Sequence, residues 1–134
     1  MHNKLLTFNS GKAKDYFLHK ISFEISPREL KKHIDENIEN INIVDVRCYD
    51  DYIDGHIPFA IHVPLDSLEE HLVMFDKDKI NIVYSYCPYC KKAPHAAYMI
   101  ADKGYPVMML CGGYKIWKEN DFDIVKTASD NNIV

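Results

Sequence analysis

Ile41-Asn42-Ile43-Val44-Asp45-Val46 restricts the fold of this chain more than any other segment. It is rich in β-formers and nearly continuous in apolar character, as a strand at the centre of a parallel sheet is when both its faces are covered. Asn81 to Ser85 and Val107 to Leu110 read the same way, and Ala60 to Val63 reads as a shorter strand. Phe23-Glu24-Ile25 is also extended in character. Helical segments separate these runs. Ser26-Pro27-Arg28-Glu29 starts one with a capping serine, proline at the first helical position and glutamate three residues after the cap, predicting a helix to about Asn37. Asp50 to Gly55 reads as a helical turn closed by glycine, and a helix is expected from Asp66 to Phe75. The helix after the Asn81 strand carries Ala93, Ala96, Ala97, Ile100 and Ala101 on one face. Gly104-Tyr105-Pro106 ends it, and Gly112-Gly113 leads into a last helix with Trp117. Strands alternating with helices throughout predict an α/β fold, a parallel β-sheet of about five strands with helices on both faces.

With 134 residues the chain makes one domain, large enough for a core without disulfide staples. Hydrophobic residues at 47% and charged residues at 27% are the profile of a soluble globular protein. A net charge of −4 argues against a nucleic-acid partner, which calls for a basic stripe. Neither a signal-peptide core nor a membrane-spanning run is visible, so no membrane partner and a cytoplasmic location are expected. An N-terminal helical extension over residues 1–22 precedes the main domain at 23–124, and a polar, flexible tail follows at 125–134. The extension holds a short amphipathic helix, Gly11 to Lys20, with Tyr16, Phe17 and Ile21 as its apolar stripe. That stripe has two places to go, the chain's own helices or a second copy in a homodimer, and the sequence leaves both open.

Chemistry concentrates in one loop. The Asn81 strand ends in Tyr86-Cys87-Pro88-Tyr89-Cys90-Lys91-Lys92, and a small-residue helix begins at once with Ala93-Pro94. Backbone N–H groups converge at a strand-to-helix junction, and the helix dipole adds partial positive charge. A thiol placed there loses its proton more easily, and the thiolate is both nucleophile and sulfur carrier. In open parallel sheets, ligands bind at the carboxyl ends of strands, where this loop sits. Cys48 and Cys111 lie beside apolar segments and read as packing residues. Asp45 and Arg47, at a core strand end, read as a buried ion pair or loop brace. His56 reads as a hydrogen-bonded turn residue, and His62 lies in a strand with no obvious chemical partner. Zinc would need a second close pair of ligands, and phosphoryl chemistry would want an arginine in the loop; neither is present in the sequence.

Four segments in order resemble a single-domain rhodanese. The first is Ile43-Val44-Asp45-Val46-Arg47 followed by Tyr52, and the second runs from Gly55-His56-Ile57-Pro58 to Val63-Pro64-Leu65. The cysteine loop is the third, and Gly104-Tyr105-Pro106-Val107 with Leu110-Cys111-Gly112-Gly113 and Trp117 is the fourth. The resemblance implies a sulfurtransferase. A loop cysteine takes sulfane sulfur from a small donor such as thiosulfate, holds it as a persulfide and passes it to a thiol or cyanide acceptor. No metal and no organic cofactor is implied, because sulfur is itself the carried group. Many rhodaneses carry cysteine at the strand end, where this chain has Ser85, and serine cannot hold a persulfide. The family's usual six-residue loop, counted back from Ala96-Ala97, lands on Cys87. A longer-loop subgroup places a proline, one further residue and then the cysteine before the helix, which aligns Pro88 and Cys90. By that resemblance Cys90 is the catalytic cysteine and Cys87 the second candidate. Pro88, Tyr89, Lys91, Lys92 and Ala93 form the substrate-binding loop, with Asp45 and Arg47 supporting it. Cys87-Pro88-Tyr89-Cys90 also spells a glutaredoxin-like dithiol, but it follows two strands and more than half the chain, far from where that fold carries it. The alternative on the rhodanese fold is a catalytically weak binding or redox-sensing module that uses the Cys87/Cys90 pair.

Overall fold

The computed structural model describes residues 6–127. Five strands form a single sheet in the order β1-β5-β4-β2-β3: β1 (Glu24–Ile25), β2 (Ile41–Asp45), β3 (Ile61–His62), β4 (Ile80–Tyr84) and β5 (Val107–Leu110). Every pairing is parallel, with Ile43 opposite Ile82 and Val44 opposite Val83 at the centre. Six α-helices accompany them: α1 (Ser10–Phe23), α2 (Pro27–Glu36), α3 (Tyr49–Asp54), α4 (Leu68–His71), α5 (Lys92–Asp102) and α6 (Gly113–Glu119). The α/β fold expected from the alternating pattern is the fold observed.

Side chains alternate across a strand with period two, so each central strand feeds two cores. Ile43, Ile82 and Tyr84 pack on one face with Leu30 of α2 and Trp117 of α6. Val44 and Val83 pack on the other with Leu68 of α4 and with Ala96 and Ile100 of α5. Covering on both faces is why β2 and β4 show no polar alternation in sequence. Asn81 is the polar exception in β4, fully buried and fully satisfied. Its Nδ2 donates to the Pro106 carbonyl at 2.9 Å, and its Oδ1 accepts from Asn42 Nδ2 at 2.9 Å, so it ties β4 to the segments on either side.

Local signals explain the helix starts. Ser26 Oγ accepts from the Glu29 amide at 3.1 Å while Glu29 Oε1 accepts from the Ser26 amide at 2.9 Å, with Pro27 at the first helical position. Loss of such a cap destabilises a helix by about 1 kcal/mol. The helix expected over Asp66 to Phe75 is instead broken into a 3₁₀ turn at Leu65–Ser67, the single turn α4 and a second 3₁₀ turn at Leu72–Met74. Side chains compete for its carbonyls there. His71 Nδ1 donates to Ser67 O at 2.7 Å and Ser67 Oγ to Pro64 O at 3.3 Å, a competition that disfavours a continuous helix. The N-terminal helix runs past Lys20 as far as Phe23 and none of its residues is buried.

After α6, Val125 forms an antiparallel bridge with His56 at 2.9 and 2.8 Å, and the Thr127 amide donates to Ile53 O at 3.1 Å. The remainder of the tail, residues 128–134, lies outside the described residues. Among the described residues no helix is long and apolar enough to cross a membrane. From β2 the chain moves outward to β3, and from β4 it moves outward to β5. The loops leaving β2 and β4 therefore part and open a crevice between them at the carboxyl edge.

Candidate functional site

The loop after β4 rises at the carboxyl edge of the sheet, and its cavity lies on the side of β5 and β1. Tyr84 is fully buried, Ser85 is 2% exposed, and the chain then rises through Tyr86 to Lys91 before α5 begins at Lys92. The Cys90 amide donates to the Cys87 carbonyl at 3.1 Å, closing a tight turn that holds both thiols half-buried. They share a cavity of about 280 Å³ with Ser85, Pro88 and Ala93. On its outer side Cys90 also borders a shallow depression with Tyr89, Lys91 and His95. Tyr89, at 90% exposure, stands out from the loop. Lys92 lines neither concavity and acts through its amide and its charge.

Burial alone pushes the Cys90 thiol up. Hydrogen bonds from the Ser85 side chain and from the Lys92 and Tyr86 amides outweigh it, together with the Lys92 charge, and hold the thiol below its ordinary value of 9.0. Amides from the two ends of the loop and one hydroxyl converge on the sulfur as an anion cradle, which favours thiolate over thiol.

Two supports hold the cradle in shape. At the entry of α6 the Tyr114 amide donates to Ser85 O at 2.9 Å and the Lys115 amide to Tyr86 O at 2.7 Å. That approach depends on Gly113, which has φ 68° and would place a Cβ 2.8 Å from Ser85 O. The second support is the buried pair at the end of β2. Arg47 Nη2 lies 2.7 Å from Asp45 Oδ2 and also donates to Gly55 O at 2.6 Å. Tyr84 donates its hydroxyl to Asp45 Oδ2 at 2.7 Å and accepts the Ile57 amide at 3.1 Å. The guanidinium lies 4.1 Å from the centre of the Tyr114 ring. Arg47 and Asp45 thus link the end of β2 to Tyr84 and Tyr114, one residue before the cradle and at the entry of α6.

The opposite wall of the cavity holds a third thiol. Cys111, at the end of β5, donates to Glu24 Oε1 at 3.0 Å, and Glu24 Oε2 pairs with Lys20 of α1 at 2.8 Å. Burial and the Glu24 carboxylate push the Cys111 thiol up to about 11. Cys111 reads as a packing residue in sequence, but β5 neighbours β4 and its carboxyl end brings this thiol to the wall of the cysteine cavity. Cys48 is not a packing residue either, being exposed with its thiol donating to Asp51 at 3.2 Å. His56 donates Nδ1 to Tyr52 O at 2.8 Å and stacks on that ring, and His62 finds a partner in the Arg47 carbonyl at 2.8 Å. Neither imidazole lines the cysteine cavity.

The rhodanese-like domain model matches residues 26–120. Over 80 residues the chain is 34% identical to the thiosulfate sulfurtransferase GlpE of Coxiella burnetii, covering 59% of this chain and 73% of that protein. Over 78 residues it is 35% identical to the HTH-type transcriptional regulator Rv0324 of Mycobacterium tuberculosis, covering 58% of this chain but only 34% of the regulator's length. Among solved structures, the BH2092 protein of Bacillus halodurans superposes with a TM-score of 0.81 at 32% identity, over 89% of this chain and 88% of that one. With the family model spanning β2 to β5 and the cysteine loop, and a relative matched over 73% of its length, the chain belongs to the rhodanese-like domain family.

Proposed function

We propose that this protein is a sulfurtransferase that carries sulfane sulfur as a persulfide on Cys90. The observation that carries the reading is the half-buried Cys90 thiol, held below its ordinary pKa by the hydroxyl and amides of its loop. The Cys90 thiolate attacks the outer sulfur of a donor such as thiosulfate. A new S–S bond forms, the donor's S–S bond breaks, and sulfite leaves with the electron pair. The same N–H groups then hold the persulfide anion. Attack on its outer sulfur by cyanide or by a thiolate forms thiocyanate or a new persulfide and returns Cys90 to thiolate. Lys91 and Lys92 add positive charge at the entrance, which favours an anionic donor. A relative named thiosulfate sulfurtransferase supports this choice of donor. All four cysteines are free, which suits a reducing compartment such as the cytoplasm.

Intact mass after treatment of the reduced protein with thiosulfate tests the reading. One added sulfur is expected on the parent, none on Cys90→Ser, and a weaker adduct on Cys87→Ser. An adduct that survives Cys90→Ser and vanishes in Cys87→Ser would move the nucleophile to Cys87. Absence of any adduct and of thiocyanate would favour the binding or redox-sensing module instead.

A further inference from the structure

We propose that Cys111 is a second sulfur-bearing cysteine, which takes the sulfane sulfur from the Cys90 persulfide with Glu24 as its base. The inference rests on the sulfurtransferase reading and adds an internal acceptor to it. Strand register brings the two thiols to one place. Val83 of β4 lies opposite Met109 of β5, and two residues further on the same register sets Ser85 beside Cys111. Adjacent strands are about 4.8 Å apart, and residues two apart on a strand share a face. Here it is the face on which Val83 and Met109 pack with α5. Ser85 hydrogen-bonds the Cys90 thiol, so Cys90 and Cys111 flank one serine, and both border the cavity of about 280 Å³. Glu24 reaches Cys111 from the next strand. It lies opposite Met109 in the β1–β5 register, and its Oε1 accepts the Cys111 S–H at 3.0 Å. Lys20, 2.8 Å from Oε2, holds the carboxylate there.

On a loaded Cys90 the outer sulfur stands about 2 Å beyond Sγ, in the cavity that Cys111 walls. Cys111 Sγ attacks that outer sulfur. Glu24 takes the thiol proton in the same step, since a thiol sulfur that is forming a new bond is far more acidic than a resting one. The Cys111 Sγ–S bond forms, the Cys90 Sγ–S bond breaks, and Cys90 leaves with the electron pair as a thiolate. Glu24 then returns the proton to the transferred sulfur, and no oxidant or reductant is consumed. The contrast between the two thiols sets the direction. Cys90, held below its ordinary pKa, is the better leaving group, and Cys111, pushed up to about 11, is the stronger nucleophile once its proton is gone. At rest the same raised value keeps Cys111 a thiol, so the donor loads Cys90 first.

Peptide mapping of the full chain after thiosulfate, with alkylation at timed intervals, tests the relay. Trypsin separates Cys90, in 80–91, from Cys111, in 104–115. The added sulfur is expected on 80–91 first and on 104–115 later, at a rate unchanged on dilution. Cys90→Ser should leave both peptides bare. Glu24→Gln keeps an oxygen that accepts the S–H but is no base, so it should slow the second step roughly a hundredfold relative to the first. Sulfur confined to 80–91 overturns the relay and leaves the sulfurtransferase reading standing, whereas sulfur on neither peptide overturns both. Sulfur on 104–115 in Cys90→Ser, or a transfer that slows on dilution, shows Cys111 loaded from outside and overturns the relay. A Cys90–Cys111 disulfide with release of hydrosulfide means attack on the inner sulfur and overturns it too. An undiminished second step in Glu24→Gln overturns Glu24 as the base.

Discussion

Cys90 and Cys111 border one cavity, yet their surroundings push their thiols in opposite directions. The cradle of amides and the Ser85 hydroxyl lower the pKa of Cys90, whereas burial and the Glu24 carboxylate raise that of Cys111 to about 11. Thiolate fraction grows with pH, so a lowered pKa brings reactivity in earlier and a raised one delays it. Alkylation followed by peptide mass should therefore show Cys90 reacting along a curve whose midpoint falls below 9.0, with Cys111 silent until near pH 11. Ser85→Ala removes one hydrogen bond to the charged form, worth about 1 kcal/mol, so the acid dissociation constant of the Cys90 thiol should fall roughly fivefold. The midpoint for Cys90 should move upward and sulfur loading should slow in proportion. An unchanged midpoint in that variant would remove Ser85 from the cradle. The serine that bars a persulfide from the strand end thus serves the thiolate one turn later.

Between elements, the decisive contact is the entry of α6 against the loop that leaves β4. Gly113 permits it, having the left-handed φ of 68° and a bare Cα facing Ser85 O. Gly113→Ala would meet both the backbone penalty and the 2.8 Å contact, a destabilisation of about 1–3 kcal/mol concentrated at the cradle. Sulfur loading should drop more than global stability does, measured as adduct rate against denaturation midpoint. Loading at the parental rate would show that the α6 amides do not shape the cradle. The capping box of α2 was visible in sequence because its partners lie three residues apart. The breaks around α4 were not, because they arise where side chains win carbonyls that a helix would use.

At the scale of the molecule, the sheet separates two cores that share only its strands. Leu30 anchors one and Ile100 the other, both fully buried. Leu30→Ala and Ile100→Ala should each destabilise the protein by about 2–5 kcal/mol. Because the sites lie on opposite faces with no shared partner, the double variant should lose the sum within about 0.5 kcal/mol. Urea unfolding followed by Trp117 fluorescence and by far-UV circular dichroism measures both claims. Coincident curves are expected for a single cooperative unit, and separated transitions would show that the faces unfold independently.

Periodicity and caps act within a few residues, so the amino-acid sequence alone determined the order of strands and helices, the two covered faces and the loop that bears the thiols. Ile41 to Val46 states its burial by composition, and Ser26 to Glu29 states a helix start by spacing. Tertiary structure decided what meets across long stretches of chain. Glu24 and Cys111 are 87 residues apart and share a hydrogen bond at the cavity wall. The Tyr114 and Lys115 amides reach Ser85 and Tyr86 only because β5 lies beside β4. Nothing local marks such meetings, since they depend on strand order and on where each strand stops. The exposure of α1 is of the same kind: its apolar residues are written in sequence, but only the packed sheet shows that none of them is buried among the described residues.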